Sequence, residues 1–356
     1  MKAQIFYEPM KMQLEEVAIP KISDIQVLVQ VKACGICGSD MSYYFGHSPL
    51  GTKDGKGPLI LGHEFSGIVT QVGAVPAAMG LFKPGDRVIA NPVGPCFACE
   101  KCQKGQTNLC TNLRTSGVNI NGAFAEYAAV AYTNLIKMPD EMTFEEGALT
   151  EPAACATYAT KQLDIELGDF VVIFGPGPIG LMMVQLAKSR GAGKVAIIGR
   201  RDYPLNLANE VGADYLINIK DTGSPYYQAD VVKYIKSING GSLVPRIIVA
   251  TASLQAMQFA LDVSGPRATI VMFGLAGPED RLSVPVLDFI TQDKVIKFSW
   301  LAPLVWPEVV AVIGTGKLDV ACLITHKFSL EDTTVKGIDI MKNSKEKKMK
   351  GVIVIE

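Results

Sequence analysis

The sequence predicts a two-domain α/β protein, with a β-rich unit first and a doubly wound parallel sheet second, and three observations carry that expectation. At 356 residues the chain is longer than one hydrophobic core usually serves. As far as about Thr150, short alternating runs such as Val27-Leu28-Val29-Gln30-Val31 are broken by many Gly and Pro, the texture of an irregular β unit. From Phe170 onward, apolar runs at 170–174, 195–198, 247–250 and 269–273 are separated by helix-length segments, as in a parallel sheet with crossover helices.

The last stretch, 301–356, mixes a helical segment near 330–341 with a terminal strand at 351–355, and the basic run 345–350 between them reads as a solvated turn. Net charge is -1, with 34 Lys and Arg against 35 Asp and Glu. No basic field is available for nucleic acid or anionic lipid. The longest uncharged run, 170–187, is interrupted by Gly175, Pro176, Gly177, Pro178 and Gly180, so it reads as strand, turn and helix rather than a membrane span. The first ten residues carry a glutamate and a proline where a signal peptide needs an apolar stretch, and a cytoplasmic location is expected. In that reducing compartment the 8 cysteines suit metal ligation better than disulfides.

Cys96, Cys99, Cys102 and Cys110 follow Cys-x2-Cys-x2-Cys-x7-Cys, which puts three thiolates on one tight loop and lets a fourth close a tetrahedron around zinc. Four sulfurs leave no place for a substrate, so this zinc is structural. An iron–sulfur cluster and four buried thiols are the alternatives.

A second donor set is of a different kind. Cys37, within Cys34-Gly-Ile-Cys37-Gly-Ser39-Asp40, joins His63 and either Glu64 or Glu151 as soft, borderline and hard donors, a mixture that leaves room for an exchangeable ligand on zinc. Zinc in such a site lowers the pKa of an alcohol or polarises a carbonyl. Ser39 stands where a hydroxyl can pass the alcohol proton outward, and Asp40 where a carboxylate can fix the tautomer of His63; both also suit a helix cap. Cys34, Cys155 and Cys322 lack metal spacing and are read as packing residues; His47 is placed near the cleft and His326 in the framework.

Gly175-Pro-Gly177-Pro178-Ile179-Gly180 follows a strand and opens a helix over 179–190, the context in which glycines admit a dinucleotide pyrophosphate to a helix N-terminus. The second strand should end in an acidic residue if the cofactor were NAD. Gly199-Arg200-Arg201 stands there instead, which favours NADP(H) over NAD(H) because guanidinium groups pair with a 2′-phosphate. The competing reading has Asp202 folding back onto the ribose with both arginines in solvent.

These residues together resemble the zinc-containing medium-chain alcohol dehydrogenase family, in its sorbitol, threonine and galactitol-phosphate dehydrogenase branches. The likeness runs through 34–40, Gly-His-Glu-Phe-Ser-Gly at 62–67, Pro-Gly-Asp-Arg-Val at 84–88, the cysteine lobe, Gly-Ala-Phe-Ala-Glu-Tyr at 122–127 and Glu151-Pro152. It implies a GroES-like catalytic domain at 1–152 to which 301–356 returns, and a Rossmann domain at 153–300. It implies two zinc ions per chain, with the catalytic one on Cys37, His63, Glu64 and Glu151, the glutamates binding directly or through water. Lys350 resembles the family's pyrophosphate-contacting basic residue, and Tyr43 and Trp300 fall on the substrate cleft. Two departures matter: Ser42 replaces a relay histidine, and Phe298-Ser299-Trp300 replaces the Phe-Arg-Tyr of the sorbitol branch with a Ser-Trp pair like that of the galactitol-phosphate branch. The implied activity is reversible oxidation of a secondary alcohol, a polyol or sugar derivative, by a homodimer or homotetramer. The alternatives are an NAD-dependent polyol dehydrogenase, a zinc-independent quinone or enone reductase, and a non-catalytic zinc- or nucleotide-binding protein.

Overall fold

All five residues of the strand Phe170–Phe174 are buried, as a strand covered on both faces requires. It lies inside a six-stranded, all-parallel sheet ordered Tyr215–Asn218, Lys194–Gly199, Phe170–Phe174, Val244–Val249, Ser264–Met272, Val295–Phe298. Numbered along the chain, that order is the doubly wound one, with its reversal between Phe170–Phe174 and Val244–Val249. Helices Pro178–Ser189, Asp202–Glu210, Val231–Ile238 and Leu254–Asp262 connect the strands. The sequence singled out four of the six strands. Tyr215–Asn218 and Val295–Phe298, four residues each and only partly buried, give too short an apolar signal to stand out.

This is a computed structural model, and it describes residues 1–343 and 347–356. The chain forms two units, one of Met1–Pro152, Trp306–Gly314 and Val320–Glu356, the other of Ala153–Val305 and Thr315–Asp319. Asp319 is held within the second unit by Gln185, whose amide donates to the Asp319 carbonyl at 3.0 Å and accepts from its N–H at 2.7 Å.

The first unit is built on a seven-stranded sheet whose central strand, Gln26–Gly35, pairs antiparallel with Glu64–Val72 along one edge. Its other edge carries both Tyr127–Ala131 and the late strand Lys350–Val354. A separate three-stranded sheet joins Lys11–Glu16, Lys2–Glu8 and Leu59–Ile60. The core of this unit includes Phe6, Leu61, Phe65 and Phe124, each almost wholly buried. A side chain of that size, fully buried, contributes about 1.5–3 kcal/mol.

The helical segment expected at 330–341 is a π-helical turn, Thr333–Ile338, running into the short helix Asp339–Asn343. The run expected as a solvated basic turn needs correction: Lys350 is a buried strand residue, while 344–346 lie outside the described residues. Among the described residues no helix is long and apolar enough to cross a membrane.

Candidate functional site

Two adjacent strands deliver the mixed donor set, and a third brings Lys350 beside it. Glu64 opens the strand that pairs with Gln26–Gly35 and lies opposite Gly35, which is itself opposite Val352 of the late strand. Two residues beyond Gly35, Cys37 caps the helix Gly38–Tyr44. His63 follows a sharp turn at Gly62, where φ is +84° and a Cβ would sit 2.4 Å from the Phe124 ring, so only glycine fits. The result is that ligand atoms of Cys37, His63 and Glu64 all lie within 4.8 Å of one another.

Asp40, fully buried on that helix, ties the two ligand-bearing turns together. One carboxylate oxygen accepts the N–H of Cys37 at 2.9 Å and the other accepts that of Gly62 at 3.3 Å. Its distance to His63 Nδ1 is 3.5 Å, a charge contact rather than a hydrogen bond. The tautomer-fixing bond expected of Asp40 is therefore a looser contact, and its firm bonds go to backbone. Burial disfavours charge on His63, but Asp40 and Cys37 outweigh it and hold the imidazole well above its ordinary pKa.

Lys350 is the residue that sequence reasoning placed elsewhere. Expected at a pyrophosphate, the residue is 5% exposed, and its Nζ donates to Glu64 Oε1 at 2.7 Å and to the Ile36 carbonyl at 3.0 Å, with Glu64 Oε2 an ion-pair contact at 2.5 Å. Burial works against its charge, yet Glu64 and Cys37 raise its pKa above the usual lysine value, with a smaller push from Glu151. Glu151 is buried, but its carboxylate is not in the converging group of three.

The donor set fits a dication on two observations. His63 Nδ1 is buried with no hydrogen bond, only the 3.5 Å charge contact to Asp40, and Glu64 Oε2 is buried with only its ion-pair contact to Lys350, a set with acceptor capacity left for a cation. Cys37, Asp40 and Glu64 also gather a thiol and two carboxyl groups around His63 and Lys350, a donor chemistry that suits a divalent cation. Ser39 lies partly exposed on the first turn of the Gly38–Tyr44 helix, and Tyr43 one turn later, its phenol pushed up by burial. Trp300, in the second unit, is 45% exposed. His47 stacks on Phe45 at 6.3 Å between ring centroids, and His326 on Phe328 at 5.9 Å.

Cys96, Cys99, Cys102 and Cys110 converge in the same way, as free thiols. Backbone N–H groups of Cys96 and Asn112 donate to the Cys110 sulfur, and that of Cys99 to the Cys96 sulfur, each at 3.3 Å. Hydrogen bonds from the Cys102 and Thr111 backbone push the Cys99 thiol down to about 5, whereas burial and its cysteine neighbours push Cys102 up to about 12. Four sulfurs this close cannot all ionise without a cation among them, and a zinc ion held by them would resolve that conflict.

In the second unit the glycine turn lies at the reversal of strand order. Gly175 has φ +101°, and a Cβ on Gly180 would meet the Gly175 carbonyl at 2.0 Å, so turn and helix touch backbone to backbone. Gly177 caps the helix Pro178–Ser189, with Pro178 and Ile179 in its first turn. A cavity of about 600 Å³ opens over them, lined among others by Gly175, Gly177, Gly199, Arg200 and Arg201.

Comparison with known proteins agrees with this geometry. Residues 23–140 match the alcohol dehydrogenase GroES-like domain, and 178–315 match the zinc-binding dehydrogenase family. The chain is 33% identical over 350 residues to a sorbitol dehydrogenase of Rattus norvegicus, covering 94% of this chain and 93% of that one. A zinc-binding dehydrogenase from Sinorhizobium meliloti 1021 bound to NADP superposes with a TM-score of 0.89 at 28% identity, covering 99% of both chains. An alcohol dehydrogenase from Escherichia coli CFT073 complexed with NADH gives 0.88 at 29% identity, again over 99% of both. With its GroES-like and parallel-sheet units, its two converging donor sets and its nucleotide turn, the chain belongs to the zinc-binding alcohol dehydrogenase family.

Proposed function

We propose that the protein is a zinc-dependent dehydrogenase that moves a hydride between a secondary alcohol, of the polyol or sugar-derivative class, and NADP(H). The observation that carries this reading is the convergence of Cys37, His63 and Glu64 within 4.8 Å. The sorbitol dehydrogenase relative supports the substrate class. A zinc ion held there supplies Lewis acidity toward the alcohol or carbonyl oxygen, and the nicotinamide supplies or accepts the hydride. Asp40 ties the Cys37 and His63 turns together through the N–H groups of Cys37 and Gly62, and Lys350 pairs with the buried Glu64 carboxylate. Glu151 stands as a further ligand, direct or through water. Ser39 takes the substrate hydroxyl proton and hands it to solvent, while Tyr43 lines the substrate's space.

NADP(H) is favoured over NAD(H) because Arg200 and Arg201 line the nucleotide cavity and, among the described residues, no Asp or Glu does. Against the ribose-binding role for Asp202 stands the engagement of its Oδ1, which accepts from Asn218 at 2.7 Å and from Ser224 at 2.6 Å. The four-thiol site supports a cytoplasmic location, and the family resemblance supports a homodimer or homotetramer.

Metal analysis together with a screen of polyols, sugar phosphates and simple secondary alcohols, using both cofactors, tests the reading. Two zinc ions per chain and NADPH-linked turnover are expected. One zinc and no alcohol turnover would favour a zinc-independent reductase or a binding protein instead.

A further inference from the structure

Arg200 and Arg201 have a neighbour on the next strand that the nucleotide motif does not name. Lys194–Gly199 and Tyr215–Asn218 run parallel with Gly199 opposite Asn218, and the N–H of Ile219 donates to the Gly199 carbonyl at 3.0 Å. The residue after Ile219 is Lys220, so the backbone register brings it alongside the two arginines. All three line the same cavity, and no carboxylate does.

What sets this arrangement is Asn218, a polar side chain with no exposed surface and no idle atom. Its Oδ1 accepts the N–H of Lys220 at 2.9 Å and of Asp221 at 3.0 Å, turning the chain sharply at the strand end. Its Nδ2 donates to Asp202 Oδ1 at 2.7 Å, and the Ser224 hydroxyl donates to the same oxygen at 2.6 Å. The turn is pinned again where Tyr226 Oη donates to Asn206 at 2.7 Å. The one acidic group beside the arginines is thus held by the loop that presents Lys220, while Asp221 bonds the N–H of Gly223 at 3.0 Å.

We propose that Lys220 is a third cation of the adenosine ribose subsite, binding the 2′-phosphate with Arg200 and Arg201, and that Asn218 is the positioning residue that presents Lys220 while sequestering Asp202. The proposal rests on the NADP(H) reading above. Its chemistry is simple: a 2′-phosphate offers acceptor oxygens and negative charge, which lysine and arginine satisfy. A bare ribose diol wants an acceptor, and one oxygen of the nearby Asp202 carboxylate already takes two hydrogen bonds.

Calorimetric binding of adenosine 2′,5′-bisphosphate, adenosine 5′-monophosphate, NADPH and NADH to the full chain tests it without turnover. Lys220→Ala should weaken the bisphosphate and NADPH roughly tenfold or more, the scale of a lost charge-assisted hydrogen bond, and leave the monophosphate and NADH unchanged. Lys220→Arg should restore most of the loss. Ser224→Ala, which loosens Asp202 without touching the buried strand, should shift the NADPH-to-NADH affinity ratio toward NADH. Asn218→Ala should do both, and the Ser224 variant keeps that arm readable if Asn218→Ala fails to fold. A wild-type protein that binds the monophosphate as well as the bisphosphate overturns the cofactor reading and this proposal with it. A wild-type preference for the bisphosphate that survives Lys220→Ala unchanged overturns the role of Lys220 alone, and an unmoved ratio in both Ser224→Ala and Asn218→Ala overturns the positioning role.

Discussion

Asp40 shows how much of the metal site depends on a residue that need not touch the metal. Its carboxylate bonds the N–H groups of Cys37 and Gly62, so its removal strands two amides and frees both ligand turns. Asp40→Ala should lower zinc affinity at the mixed site by roughly 10–100-fold, the usual effect of losing a partner that orients ligands. Competition with a chromophoric chelator measures it, and an unchanged dissociation constant would contradict the arrangement. Cys37, His63 and Glu64 were legible in the sequence because three donor types of graded softness recur in a motif context. Lys350 was not, because what it touches, a carboxylate 286 positions away, is set by two strands that flank Gln26–Gly35 on either side, and no local pattern encodes that. Asp202 was legible only as an alternative, since its fate depends on Asn218 and Ser224 in another segment.

Elements differ in how they are held, and the four-cysteine lobe is the clearest case. Its helix Glu100–Gln103 and its 3-10 turn Thr107–Leu109 are too short to persist alone. Phe97 and Leu109 are more than half exposed, so little apolar burial compensates. Chelation of zinc, or Cys102→Ser, should open the segment 95–113 to limited proteolysis while the near-native circular dichroism of the two main sheets persists. Equal protease resistance with and without metal would refute a structural zinc there. The spacing of the cysteines made the lobe legible, since chelation is a local constraint. The parallel sheet was legible where its strands are wholly buried, and faded at Tyr215–Asn218 and Val295–Phe298, where the apolar runs shorten toward the sheet edges.

At the scale of the whole molecule, the outer edge of that parallel sheet bears on assembly. Val295–Phe298 ends the strand order, with Val295 44% and Phe298 71% exposed. The preceding helix Val286–Thr291 leaves Val286, Leu287 and Ile290 more than 60% exposed. An edge strand bordered by apolar surface invites pairing, and a second copy related by a two-fold axis satisfies both its backbone and its side chains. Light scattering should therefore find a dimer or tetramer that Phe298→Lys with Ile290→Lys shifts toward smaller species. A monomeric wild-type protein would exclude this surface as an interface.

Lys350 has one more consequence, which concerns the order of synthesis rather than the finished fold. Cys37, His63 and Glu64 leave the ribosome early, but the cation that neutralises Glu64 arrives with a strand made 286 residues later. Until then the carboxylate lacks its buried partner, and the strand edge that receives Lys350–Val354 is unpaired. The nascent first unit thus waits on the strand Lys350–Val354 to finish both its sheet and its charge balance, so the mixed donor set is completed only after the parallel-sheet segment has been translated.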